Sequence, residues 1–488
     1  MNVNELLINL YNKKTIAEIE QLAITEFKVS SLDLMQRAAK ACVDQLLEDF
    51  PNAQRFIVFC GVGKNAADGE HIAEQLQNLG KKIQIIKATE WQEDVKLEAD
   101  VIVDALFGVG INRELVGVWR QIVDKINNSK IPVLSIDLPS GIDPDTGKIL
   151  GSAVKANVTM TFIGLKKGLF TGKAKNYGGN IKFNNLGLPV EVYNNAVCSA
   201  MRLTRKDFKN LLTKREPAAH KGDFGKLLIL GGQDGMTGAA LLAGKAALRT
   251  GAGVVYVLAN SKQPQIAHNS CLEIQIQSFS GVKQIKELLA RATVLLLGSG
   301  LGVDRTAQVF FDKAMQSDLP LIIDADGLNV LADNIQEGFQ PDRENWILTP
   351  HPKEAARLLQ TDVATIEANR FAAIEQLTKK YKATVVLKGA GTLIKAYRSD
   401  SRKKEDMSPV YVCDLGNPGM ATAGMGDLLA GIIAALVAQK LSLKDACNLG
   451  VFIHALAGDI VARDGQRGIV ASDLLGFIKG IVNTVCEG

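Results

Sequence analysis

Cysteine is scarce, with seven in 488 residues, and no two form a C-x-x-C pair. Cys42, Cys60, Cys198, Cys271, Cys413, Cys447 and Cys486 are scattered and odd in number. This argues against a zinc site and fits free thiols in a reducing compartment. An excess of one charge is also missing. Lys and Arg number 56 against 52 Asp and Glu, a net +4, with no basic arm or long basic block, so nucleic acid is not an expected partner. The start, Met1-Asn2-Val3-Asn4-Glu5, lacks the basic segment and apolar run of a signal peptide. The longest strongly apolar helix expected, 428–438, is too short to cross a bilayer. No membrane association is expected, and a cytoplasmic location follows. Heptads, low-complexity tracts and sequence repeats are absent too. Proline is low at 13 and glycine high at 45, a balance that suits α/β folds with many tight turns.

The residues present indicate two α/β halves. A length of 488 exceeds one ordinary domain, and 47% hydrophobic with 22% charged residues is ordinary globular composition. Residues 1–50 read as helical, with Leu34, Met35, Ala38, Ala41 and Cys42 at helical spacing. Short apolar strands follow at 55–60, 82–86, 100–107, 132–137, 158–162 and 179–183, with a helix from about 69 to 79. That alternation predicts a parallel, doubly wound sheet. Lys and Arg cluster between apolar patches near 202–215, which sets domains at 1–205 and 206–488. The pattern then restarts with a strand and turn at 226–232, a helix at 239–249 and strands at 254–258, 294–297, 319–324, 346–348 and 384–387.

The most informative segment is Gly416-Asn417-Pro418-Gly419-Met420-Ala421-Thr422-Ala423-Gly424-Met425-Gly426-Asp427, which runs into an apolar helix. Free N–H groups at a helix start bind anions, and glycines let a phosphate approach the backbone. Asp427 then stands beside that phosphate as a base. The pattern points to phosphoryl chemistry on a hydroxyl. The plain alternative is a glycine-rich cap on a buried helix.

In the first half, Gly61-Val62-Gly63-Lys64-Asn65-Ala66-Ala67-Asp68-Gly69 follows a strand and opens a helix, at the end of the sheet where such folds bind ligands. It is not a dinucleotide fingerprint, because Ala66 takes the third glycine place. It is not a P-loop, because Asn65 follows Lys64. Asp104 and Asp137 end later strands, and Ser140 follows in Leu138-Pro139-Ser140-Gly141. Asn65, Asp104 and Ser140 offer oxygens to a hard cation, though each alone also suits a turn or a cap.

These N-terminal elements, with Thr161-Phe162 and Lys166, resemble the YjeF N-terminal family of NAD(P)H-hydrate epimerases over residues 5–200. The resemblance implies a potassium ion held by Asn65, Asp104 and Ser140. It implies that Lys64, Asn65, Ala66, Ala67, Asp68, Gly108, Val109, Gly110, Ile111, Asn112, Arg113, Glu114 and Asp137 contact the hydrated nicotinamide nucleotide. Asp137 and Lys166 become the proton-transfer pair. The family loop usually reads Asn-Asn-Gly-Gly-Asp-Gly; here Lys64 replaces the first Asn and Ala66-Ala67 replace both glycines. Wherever a glycine place needs φ > 0, alanine is strained by roughly 1–2 kcal/mol. That expectation leaves the epimerase weakened, or reduced to a non-catalytic binding module, unless Lys64 pairs with the substrate phosphate.

In the second half, Asp324-Ala325-Asp326, Thr349-Pro350-His351-Pro352, Lys388-Gly389-Ala390-Gly391-Thr392 and 416–427 resemble the ribokinase-like superfamily, and within it the YjeF C-terminal family, over about 205–485. His454, Gly458-Asp459 and 468–473 also fit. Those proteins are ADP- or ATP-dependent NAD(P)H-hydrate dehydratases. The resemblance implies that Lys388, Gly389, Ala390, Gly391, Thr392 and Gly426 bind the adenine nucleotide. Ala239, Gly302, Asp326, His351 and Asp427 would contact the hydrate, with Mg²⁺ bridging the phosphates. His454 alone reads as a packed core histidine. The expected fold is a Rossmann-like three-layer α/β/α domain plus a ribokinase-like α/β/α domain, in a homo-oligomer. The rival reading is a small-alcohol kinase, for a vitamin precursor or a sugar.

Overall fold

The computed structural model describes residues 3–261, 271–397 and 408–486. The chain forms two compact units: one runs to Arg202 and takes in Glu367–Asn369, the other holds Leu203–Ile366 and the chain from Arg370 on.

The first unit is built on six parallel strands in the order Lys82–Lys87, Arg55–Cys60, Val101–Ala105, Val133–Ile136, Val158–Phe162, Asn180–Asn184. Central strands such as Val101–Ala105 are buried at every position, as a sheet covered on both faces requires. On one face pack Ser31–Asp49 and Lys64–Asn78, and on the other Val118–Asn128, each with its own apolar layer. The order in which strands are added reverses between Arg55–Cys60 and Val101–Ala105, which opens a crevice at their C-terminal ends. A small ladder, Asn9–Tyr11 paired with Leu165–Lys166 and Ala200–Arg202, fixes Lys166 near that rim.

Two expectations change here. The helix expected from about residue 69 begins at Lys64, because Gly63 at φ +88° completes the turn and nothing after it needs a left-handed backbone. Ala66 and Ala67 are therefore helical and carry no positive-φ strain. Asp104 lies inside its strand and its side chain is fully buried.

The second unit carries seven parallel strands, ordered Gln275–Ser278, Val254–Ala259, Lys226–Gly231, Val294–Leu297, Leu321–Ile323, Trp346–Leu348, Thr384–Leu387. Thr392–Lys395 and Val410–Cys413 extend it antiparallel. Its order of strand addition reverses between Lys226–Gly231 and Val294–Leu297, so a second crevice opens beside 298–302. The helix Met425–Ala438 is buried at every residue except Gly426 and Asp427. A Cβ on Gly431 would lie 2.1 Å from the Ala243 carbonyl oxygen, so only glycine allows the helix to seat this close to Thr237–Thr250. The longest apolar helix is not 428–438. Leu443–Asp464 has 22 residues and mean hydropathy 1.3, and it is 61% buried within the fold. Among the described residues, Cys42, Cys60, Cys198, Cys271, Cys413 and Cys447 are free.

Two candidate active sites

In the first unit, Lys64, Asn65 and Asp68, the stretch 108–113, Asp137 and Lys166 line one cleft of about 570 Å³. Ala66, Ala67, Glu114, Asp104 and Ser140 are not in its lining. The cleft floor is the start of helix Lys64–Asn78, whose cap residue Gly63 offers no side chain to the free N–H groups.

Asp137 sits at φ +65°, a strained backbone for a residue with a side chain. Its Oδ1 accepts from the Lys166 ammonium, from Thr161 Oγ1 at 3.3 Å and from the Phe162 N–H at 3.2 Å. Lys166 is 1% exposed and also donates to Thr161 Oγ1 at 3.1 Å and the Phe162 carbonyl at 2.8 Å. The pair is therefore rigid, with Asp137 partly open to the cleft.

Asp104 accepts four bonds, from Ser140 Oγ (2.6 Å), the Ser140 N–H (2.9 Å), Ser135 Oγ (2.8 Å) and the Leu106 N–H (3.2 Å). Burial raises its pKa against these bonds. No Lys or Arg pairs with it among the described residues. The Asn65 amide is buried with Nδ2 unpartnered, and a Cβ on Gly108 would come within 3.2 Å of Asn65 Oδ1. An uncompensated buried carboxylate, a hydroxyl and an amide oxygen kept clear by a glycine form a donor set that fits a hard monovalent cation.

Sequence reasoning missed Glu20, which also lines the cleft and pairs with Lys64 at 2.8 Å. Without substrate, the exposed Lys64 ammonium rests against Glu20. Glu20 lies on a preceding helix, where no local motif marks it.

In the second unit, the expected residues gather at strand ends. Gly424 caps helix Met425–Ala438 at φ +87° with no side-chain bond, which leaves the first N–H groups free. Asp427 lies in that first turn. Burial, then the Asp324 charge, lifts its carboxyl to about 6, while the Ser299 hydroxyl and Lys388 work the other way. Lys388 donates to Asp324 Oδ1 at 2.6 Å and lies 3.8 Å from Glu354 Oε2. Burial opposes the Lys388 charge, but Asp324 and Glu354 outweigh it and its pKa rises. Burial and Asp324 push Glu354 up to about 7 against Lys388. A Cβ on Gly426 would stand 3.4 Å from Lys388 Nζ and 3.5 Å from Asp324 Oδ2, which places the helix start against this ion pair.

His351 caps the helix Pro352–Leu359. Its Nδ1 accepts from the N–H groups of Lys353 and Glu354 at 3.1 Å, and its Nε2 lies 3.3 Å from Glu354 Oε1. Asp326 accepts from the Gly302 N–H at 2.9 Å and so holds the 298–302 turn. Ala239 faces that turn, because a Cβ on Gly300 would lie 3.1 Å from its methyl. Gly389 and Gly391 adopt φ +139° and +65°, the turn expected to take the nucleotide, and Thr392 Oγ1 donates to the Gly389 carbonyl. Ala390 lies between them on the exposed side.

Three residues of this site escaped sequence reasoning. Asp324 and Glu354 lay inside the recognised motifs without a role. Arg370, 1% exposed, donates to the Leu387 and Lys388 carbonyls and pins the turn from far along the chain. His454 is held near 4, first by burial and then by Lys388, and its Nε2 is buried with no partner. A larger hollow of about 870 Å³ opens beside 211–215, 248–251 and 439–442, next to residues that precede strands, and it contains none of the expected site residues.

The comparisons agree with this geometry. A family model described as NAD(P)H-hydrate dehydratase matches residues 227–479, and one described as YjeF-related protein N-terminus matches 31–96 and 84–168. The bifunctional NAD(P)H-hydrate repair enzyme Nnr of Coxiella burnetii is 39% identical, covering 97% of this chain and 99% of its own length. That of Escherichia coli K12 is 36% identical over 92% and 89%. Among solved structures, a ribokinase-like superfamily protein from Enterococcus faecalis V583 aligns with TM-score 0.53 and 26% identity, over 59% of this chain and 96% of that one. With both halves matched in one continuous relative, this chain belongs to the family of bifunctional NAD(P)H-hydrate repair enzymes.

Proposed function

We propose that the chain restores hydrated nicotinamide nucleotides. Residues 206–488 remove water from the S hydrate at the expense of ADP or ATP, and residues 1–205 interconvert the R and S hydrates. The observation that carries the reading is Asp427 at an uncapped helix start beside the Lys388–Asp324 pair.

Hydroxide is a poor leaving group from the reduced ring. Asp427 takes the hydroxyl proton, and the ring oxygen attacks a phosphate lying on the free N–H groups of 424–427. The phosphate ester then leaves with assistance from the ring nitrogen. Fixed amide dipoles and Lys388 stabilise the charge that develops. The turn 388–392 and Gly426 hold the adenine nucleotide, while Ala239, Gly302 and His351 face the hydrate. Among the described residues no group of three His, Cys, Asp or Glu could hold a metal, and Asp324 is already neutralised by Lys388. Mg²⁺ bound with the nucleotide phosphates would supply added positive charge there.

In the first unit, Asn65, Asp104 and Ser140 would hold K⁺, which supplies a fixed positive charge under the cleft. Asp137, seated on Lys166, moves the proton at the hydrated carbon. Ala66 and Ala67 are helical, which takes away the backbone-strain argument for the binding-module alternative. Ala66→Gly and Ala67→Gly are accordingly expected to lower stability by up to about 1 kcal/mol each, with no gain in epimerisation. Urea melts and R-to-S conversion rates check this.

The test is to incubate the protein with S hydrate and ADP or ATP and follow the return of the reduced-nicotinamide absorbance. A small-alcohol kinase would return none, and that result would overturn the assignment.

A further inference from the structure

We propose that Asp68 is a second catalytic proton carrier in the first unit, working on the substrate together with Asp137. The inference rests on the epimerase reading of that cleft.

Asp68 lies in the second turn of helix Lys64–Asn78, beyond the positions that cap it, so its carboxylate has no helix-capping role. It lines the same cleft as Asp137 and Lys166. Its Oδ1 is buried and takes no hydrogen bond. The charged and titratable groups around it come from every packed element: Glu20 from helix Lys13–Thr25, Cys42 from helix Ser31–Asp49, Lys64 from its own helix, and Asp137 with Lys166 from the strand ends. Of the cleft's three cations, Lys64 pairs with Glu20 and Lys166 with Asp137, and Arg113 on the 108–113 stretch forms no ion pair with Asp68; only Lys64, paired with Glu20, draws the Asp68 pKa down. Asp68 is thus left facing carboxylates without an ion-pair partner of its own among the described residues. Burial first, then Asp137 and Glu20, lift it to about 7. Near neutral pH it holds a proton part of the time, while Asp137 faces an ammonium. The two carboxyls are set for opposite tasks.

The chemistry calls for such a pair. Water added across the electron-rich double bond of a reduced nicotinamide places the hydroxyl on the carbon bonded to ring nitrogen, a hemiaminal. Inverting that carbon needs no oxidant. Asp137 accepts the hydroxyl proton, the C–N bond breaks with its electron pair going to nitrogen, and Asp68 protonates that nitrogen. Rotation of the resulting aldehyde presents its other face. Nitrogen re-adds, its proton returns to Asp68, and the alkoxide recovers its proton from Asp137. Every atom is conserved, and the two protons move at different atoms, which one carboxylate holding both would not serve.

The experiment uses the full chain without nucleotide, so that dehydration is silent. R-to-S conversion is followed by chromatography from pH 5.5 to 9, with the uncatalysed rate subtracted. Wild-type kcat is expected to fall above about pH 7 as Asp68 loses its proton. Asp68→Asn should lower kcat by about 10²–10⁴ with KM little changed, and the alkaline fall should vanish. Asp68→Glu should recover part of kcat with a displaced alkaline fall. It carries the test if Asp68→Asn does not fold, as judged by circular dichroism. A rise in KM at unchanged kcat in either variant, or an unaltered pH profile, would overturn the proposal. Failure of the wild type to convert R to S at all would instead sink the epimerase reading beneath it.

Discussion

Asp427→Ala is expected to lower nucleotide-dependent dehydration by about 10²–10⁴ in kcat, the usual loss when a positioned general base is removed. Adenine nucleotide should bind nearly as before, because its expected contacts are the 388–392 turn and the backbone of Gly426. The wild-type pH profile gives an independent readout. The Asp427 carboxyl is lifted to about 6, so it serves as a base above that pH and is protonated below it. Dehydration should fall about tenfold per unit once the pH drops well under 6. Stability runs the opposite way. A carboxyl whose folded pKa is raised above its ordinary 3.8 binds its proton more tightly when folded, so folding is weakened as pH climbs from about 4 through 6. At pH 7 the ionised Asp427 costs on the order of 2–3 kcal/mol, and Asp427→Asn should recover part of this. A variant that melts higher yet cannot dehydrate marks a residue kept for chemistry. Full activity in Asp427→Ala would remove Asp427 from the role of base, and a lower melting temperature in Asp427→Asn would show that the carboxyl is not destabilised by burial.

The same residue shows how far the sequence carries. Gly424 and Asp427 were legible because a phosphate-tolerant turn needs glycine at a left-handed position and a carboxylate in the first helical turn, both local demands. The strand ends before the loops at 61, 106, 232 and 298 follow likewise from alternating strands and helices, whereas the strand order that makes them switch points is a tertiary fact. Ala66 and Ala67 misled because a motif position does not state its own dihedral angle. Glycine at those places in relatives suggested left-handed backbone, whereas the turn is completed three residues before Ala66, at Gly63. Glu20, Arg370 and the Asp324–Lys388 pair were illegible for a different reason. Each acts on a residue 17 or more positions away, and only tertiary packing shows that Lys64 pairs with Glu20 or that an arginine pins the Leu387 and Lys388 carbonyls. The apolar helix Leu443–Asp464 shows the same limit, because helical length depends on where packing lets the ends fray.

Asp137→Asn should remove epimerisation and weaken the first unit together. Asparagine is the informative choice, because it tolerates the φ of +65° at this position, where alanine would add backbone strain. The variant leaves Lys166, 1% exposed, with its charge intact and only neutral acceptors, the asparagine carbonyl oxygen, Thr161 Oγ1 and the Phe162 carbonyl. Removing one partner of a buried ion pair typically costs about 3–5 kcal/mol, because the other charge stays buried without compensation. Thermal or urea unfolding should show that loss in the first unit, with dehydration by the second unit retained. Pairing the change with Lys166→Met removes the stranded charge while keeping a chain of similar volume. The double variant should regain much of the lost stability, a positive coupling between the two sites. Epimerisation should stay absent, because neither the base nor its ammonium is present. If the double variant melted no higher than Asp137→Asn alone, the pair would not be the source of the loss. If Asp137→Asn still converted R to S hydrate at the wild-type rate, the proton at the hydrated carbon would be handled elsewhere in the cleft.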